Sequence, residues 1–164
     1  MADPLSSHGG ETSDVRAAIV ETLGRDLSTA TVMLHTAVAD RVGLRATDHK
    51  AYDVLLRHGP MTAGRLAEWL GFTSAAATGV VDRLERQGYV RREADPHDRR
   101  KVIVAPIRER AAAIYGLLQP LAAEVTALLE GYSDDQARAI HDFLSQVVRT
   151  LDALTSSIRA DAGE

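Results

Sequence analysis

Residues 73–104, TSAAATGVVDRLERQGYVRREADPHDRRKVIV, constrain the fold of this chain more than any other stretch. Phe72-Thr73-Ser74 reads as a turn, with Thr73 or Ser74 placed to cap a helix. Val80, Val81 and Leu84 recur at helical spacing and supply its inward face. Ala75, Ala76, Thr78, Gly79, Asp82, Arg83 and Arg86 are left mainly outward. Gly88 stops that helix. Residues 89–94 and 101–105 read as short strands around a turn opened by Asp95-Pro96. A small-faced helix followed by a hairpin with a charged tip is the order of a winged helix.

The chain on either side reads as helix. Val15, Ile19, Leu23, Leu27, Ala30, Leu34 and Val38 form one apolar face of a long helix after an acidic tail of residues 1–11. That helix and its connection span residues 12–45. Thr47 is placed to cap a short helix that ends at His58-Gly59-Pro60. Thr62 is placed to cap the next, which buries Leu66, Trp69 and Leu70 and ends at Gly71. Residues 46–106 therefore form the winged helix-turn-helix domain. Two long helices fill residues 107–160. Pro120 predicts a kink or break in the first, and Ser133 with Gln136 predicts a capping box for the second. The fold class is mainly α with a small β-hairpin wing, flanked by long dimerisation helices. Those helices carry more apolar surface than so small a core needs, so they should bury it against a second copy. The alternative is that they fold back on the winged domain.

Charge separates along the chain. Residues 83–101 hold seven Arg or Lys against four acids. Residues 1–40 hold two against six, and residues 120–164 hold three against eight. A net charge of −4 excludes a generally basic coat, but one basic segment with acidic ends suits a local nucleic-acid face. The inserted face of a major-groove helix must be thin and polar, as Ser74, Ala75, Ala76, Thr78 and Gly79 are. Arg99 and Arg100 at a hairpin tip can enter a minor groove, and Asp98 can hold a neighbouring guanidinium in a bidentate fork. The competing reading is a charged hairpin that docks a protein.

The same residues resemble the MarR family of winged helix-turn-helix regulators. The resemblance rests on residues 74–84 as recognition helix, Asp82-Arg83-Leu84 near its end, Gly88-Tyr89-Val90 after it, and Asp98-Arg99-Arg100 as the wing motif Asp-x-Arg. It implies a double-stranded-DNA-binding homodimer on a pseudo-palindromic site, most often a repressor. Arg100 would enter the minor groove, Asp98 would orient it or a neighbouring Arg, and Arg99, Lys101, Thr62 and Thr73 would meet the backbone. Ser74, Ala76, Thr78, Gly79 and Arg83 would face the major groove, with Arg86 within reach of phosphate or guanine. Leu23, Ile114, Leu121, Phe143, Leu144, Val147, Leu151 and Leu154 are the expected dimer residues. Two departures stand out. Gly79 occupies a position often basic, and Ala105-Pro106-Ile107-Arg108-Glu109 replaces the usual Leu-Thr-x-x-Gly.

Relatives of this kind bind a small aromatic or anionic effector between the dimer helices and the winged lobe. His35, Asp48, His49, Tyr52 and Trp69 are the residues here that could line such a crevice. Trp69 also suits the core, and His49 a solvated helix start. Without Cys there is no disulfide, thiol sensor or Cys-ligated metal. No His spacing supports zinc, no cofactor is expected, and no nucleophile–base constellation suggests an enzyme. The start of the chain lacks a secretory pattern, and no apolar run near 18 residues suggests a membrane span. A cytoplasmic protein is the expectation.

Overall fold

The computed structural model describes residues 8–96, 98 and 100–161. Seven helices and three short strands follow one another (α1 His8–Glu21, α2 Ser28–Arg41, α3 Ala46–His58, β1 Met61–Thr62, α4 Ala63–Leu70, α5 Ser74–Arg86, β2 Val90–Ala94, β3 Val102–Pro106, α6 Ala111–Leu129, α7 Asp134–Asp161). A π-helical segment, Thr22–Leu27, joins α1 to α2 around Gly24, so the expected first helix carries a widened turn. Helix begins at His8, which removes residues 8–11 from the expected tail. Residues 1–7 lie outside the described residues.

Local signals place most boundaries. Thr62 Oγ1 accepts from Arg65 N, and Thr73 Oγ1 from Ala76 N, each at 3.2 Å. Gly71 (φ +68°) and Gly88 (φ +73°) take the left-handed conformation that an L side chain resists, and both turn the chain where their helices end. Ser133 and Gln136 cap each other's backbone N–H groups. Thr47 does not act as a cap. α3 starts two residues earlier, at Ala46 with Arg45 at its N-cap, and the Thr47 hydroxyl turns to Asp48. α6 runs unbroken through Pro120, contrary to the expected break.

β3 lies between β1 and β2, both antiparallel to it. β1 pairs Met61 with Val104 and Thr62 with Ile103, a third strand the hairpin pattern does not announce. The core fills the space between α2, α3, α4, α5 and this sheet. Tyr52, Leu55, Leu66, Val81 and Leu84 are fully buried in it, with Val90 and Val104 from the strands. Ala111 and Ile114 at the start of α6 complete it. Ile114 therefore belongs to the protomer's own core and is withdrawn from the expected dimer residues.

Beyond that body the long helices are unpartnered. Within Arg108–Leu129 an 18-residue window reaches a mean hydropathy of 1.4, so by length and composition the helix could cross a membrane, which corrects the expectation that no such run exists. The reason is compositional. Ala112, Ala113, Gly116, Ala122, Ala123 and Ala127 leave α6 with few polar residues, chiefly Gln119, Glu124 and Thr126. α7 meets the winged body near its end, where Arg159 donates to the carbonyls of Glu68 (3.3 Å) and Trp69 (3.2 Å).

Candidate nucleic-acid interface

α5 is held by its neighbours so that one stripe stays open. Ala77, Val80, Val81 and Leu84 anchor it, and Ser74, Ala75, Ala76, Thr78, Asp82 and Arg86 are exposed on the other side. The stripe is thin. Thr78 donates its hydroxyl back to Ser74 O at 2.9 Å, and a Cβ on Gly79 would meet only Arg83 Nη1, at 3.5 Å. Nothing bulky keeps the backbone of α5 from a groove floor.

Arg83 departs from its expected place. Its Nε and Nη2 donate to the two carboxylate oxygens of Asp48 at 2.8 and 2.7 Å. Asp48 is 1% exposed, on the first turn of α3. This fork commits Arg83 to bracing α5 against α3, and its hydrogen bonds to Asp48 raise its pKa. Arg83 is therefore not a free reader of bases, and Asp48 is not open to an effector.

A second brace joins α5 to the hairpin. Arg92 on β2 donates to Asp82 at 2.6 Å and pairs with Glu85, while Glu85 Oε1 also accepts Arg92 N at 3.2 Å. The Asp82 hydrogen bond is the largest cause of a raised Arg92 pKa. Sequence reasoning counted Arg92 only as charge. The signal that could have found the brace was the acid pair one turn apart on α5, ten and seven residues before Arg92. Arg91 likewise pairs with Glu93. Much of the positive charge in residues 83–101 is thus internally compensated.

The wing tip keeps its charge outward. Asp98 accepts from Arg100 N (3.1 Å) and Arg100 Nε (3.2 Å) through the same oxygen, so the contact is not the two-oxygen fork expected. Asp98 N is itself held by Asp95 Oδ1 at 3.2 Å. The Arg100 side chain is 91% exposed. Lys101 Nζ stands 4.0 Å from the other Asp98 oxygen. Arg99 lies outside the described residues.

The five residues suggested for an effector crevice do not converge. His35 and His49 face each other, ring centroids 5.5 Å apart, at the joint of α2 and α3. Burial, then His35, lowers the His49 pKa. Tyr52 sits in the core and donates to Ile107 O at 2.6 Å, and burial pushes its pKa up to about 12. Trp69 is exposed, not core, and stacks on His58 at 4.1 Å.

Comparison with known proteins bears on this arrangement. The MarR family model matches residues 47–102. The chain is 40% identical over 124 residues to the uncharacterized HTH-type transcriptional regulator YcgE of Bacillus subtilis, covering 76% of this chain and 80% of that protein. It is 35% identical over 74 residues to the HTH-type transcriptional repressor NicR of Pseudomonas putida, covering 45% of this chain and 46% of NicR. Among solved structures, a MarR family protein from Bacillus stearothermophilus superposes with a TM-score of 0.67 at 21% identity, over 85% of this chain and 97% of that one. A mutant MepR of S. aureus bound to an oligodeoxyribonucleotide gives 0.55 at 15% identity, over 80% and 96%. Both are similar to this chain in fold.

Proposed function

Because this chain belongs to the MarR family, we propose that it is a transcriptional regulator, a repressor, that binds a pseudo-palindromic DNA site as a homodimer in the cytoplasm. One observation carries the reading. α5 offers a thin open stripe while the hairpin braced to it by Arg92 holds an exposed Arg100 at its tip. The helix suits the major groove, whose base edges distinguish all four pairs, and the tip suits the minor groove beside it. Thr62 and Thr73 spend their hydroxyls on capping, so their role at the backbone is to present the first N–H groups of α4 and α5 to phosphate.

The homodimer is supported by apolar surface. α6 is apolar over most of its surface, and a helix of that kind needs covering. Leu121, Phe143, Leu144, Leu151 and Leu154 are all exposed in the protomer, with Leu23 and Val147 half-buried beside them. A two-fold axis that buries them would place two α5 helices on half-sites about one helical turn apart. Effector release is not assigned to this protomer, since Asp48 is spent on Arg83 and Tyr52 is buried in the core.

Selection of bound duplexes from a random pool, repeated at two salt concentrations, tests the function. A recovered pseudo-palindrome bound by dimer is the expected result. Enrichment of nothing, with weak binding only, would reassign the wing to a protein partner.

A further inference from the structure

A hollow of about 330 Å³ opens between the α2–α3 loop and the end of α5, and nothing above gives it an occupant. Three arginines border it, Arg45, Arg83 and Arg86, against one acid, Asp48. Arg83 takes both oxygens of Asp48, so the floor of the hollow is a neutral pair. Gln87 donates to Gly43 O at 2.9 Å and fixes the loop against the end of α5. Two guanidiniums remain uncompensated. Arg45 is exposed and makes no ion pair among the described residues. Arg86 is exposed and gives its Nε only to Asp82 O, at 3.2 Å, within its own helix. The acids on neighbouring turns are engaged elsewhere: Asp82 and Glu85 by Arg92, and Asp53 by Lys50 and Arg57.

We propose that this hollow holds a phosphate of the DNA backbone, gripped between Arg45 and Arg86, with the Asp48–Arg83 pair as its positioning floor. The proposal rests on the DNA-binding reading above. A helix about 10–12 Å across fills a major groove about 12 Å wide, so phosphates must run close along the flanks of α5. The hollow lies on the flank toward α3, beside Arg86 on the open stripe. Guanidinium is the side chain best matched to a phosphate, because its fork donates to two oxygens at once. A duplex phosphate is favoured over a free anion by the openness of the site. Two exposed side chains hold a mobile anion weakly against water, whereas a phosphate in a docked duplex arrives already placed.

The test measures binding of the full chain to a mixed-sequence duplex over a salt series. Arg45→Gln combined with Arg86→Gln should flatten the slope of log affinity against log salt by about 0.9, the one phosphate no longer neutralised, and each single change should flatten it by part of that. Sequence preference in the pool selection should not change, since phosphate contacts carry no base information. Circular dichroism melting checks that both variants fold. If the unmodified chain itself shows no salt-dependent duplex binding, the DNA-binding reading fails and the clamp with it. If that chain binds but both variants keep its slope, the clamp alone is overturned. If the variants keep the slope yet lose a thermal shift that inorganic phosphate gives the unmodified chain, the hollow is a free-anion site and the duplex assignment falls.

Discussion

Asp98 sets the reach of Arg100. One carboxylate oxygen takes both the backbone and the Nε of Arg100, which fixes the base of the side chain and leaves its end in solvent. An exposed ion pair of this kind adds little stability, so its value lies in aim. Arg100→Ala should weaken operator binding by about 1–3 kcal/mol and leave the melting temperature and the oligomeric state alone. Unchanged affinity in a titration would remove the wing from the interface. Asp48 and Arg83 behave differently because one partner is buried. Arg83→Ala strands a buried carboxylate and should cost about 3 kcal/mol of stability. Asp48→Asn should cost less, about 1–2 kcal/mol, since the Arg83 side chain is 26% exposed and can turn to water. Urea unfolding of both variants checks the order, and a reversed order would mean that Asp48 is not the desolvated partner. His49 adds a pH dependence. Burial comes first and then His35 in holding its imidazole below the ordinary 6.5; Lys50 works the same way and Asp53 against it. The unfolded chain therefore takes up this proton first as pH falls, and stability is lost from about pH 6.5 downward. Melting temperature should hold from about pH 8 to about pH 7 and fall from about pH 6.5 toward pH 5, and His49→Gln should flatten that fall.

Elements begin and end where neighbouring residues decide it, and those boundaries were legible in the sequence. Thr62, Thr73, Gly71, Gly88 and the Ser133–Gln136 pair act over a few residues, so the order of letters suffices to read them. Thr73→Ala should remove the cap of α5 and cost about 1 kcal/mol. Because the same change loosens the first turn of the groove helix, duplex affinity should drop with it; a loss of stability without any loss of affinity would place the start of α5 away from DNA. Contacts between elements were not legible. Periodicity marked Arg83 as outward, but its partner stands 35 positions away. Arg159 reaches the end of α4 across 91. β1 pairs with β3 across the whole helix-turn-helix that separates them in the chain. Trp69 misled for the same reason. Helical spacing put it with Leu66 and Leu70, yet that flank of α4 meets only His58 at the end of α3 and Arg159 of α7, and Trp69 stays 42% exposed. An apolar stripe says which face seeks cover and not what arrives to cover it.

At the scale of the molecule, the covering body must come from outside the protomer. α6 is mostly apolar, and Leu121, Leu144, Leu151 and Leu154 stand 43–57% exposed along it and α7. Apolar surface this continuous marks an interaction site. A lipid surface is a poor occupant, because the α7 stripe shares its helix with Asp135, Asp142, Arg149 and Asp152, whose charges would be drawn toward hydrocarbon. A second copy offers the same stripe and satisfies both at once. Leu144→Asp or Leu151→Asp would set two carboxylates against each other across a two-fold axis and should yield monomers by light scattering. DNA affinity should fall in the same variants even though every α5 and wing residue is intact. One lobe then binds one half-site, and the gain from tethering the second lobe at high effective concentration is gone. A monomer that held the full palindrome at native affinity would break this coupling between assembly and recognition, and each winged lobe would have to be treated as a complete reader on its own.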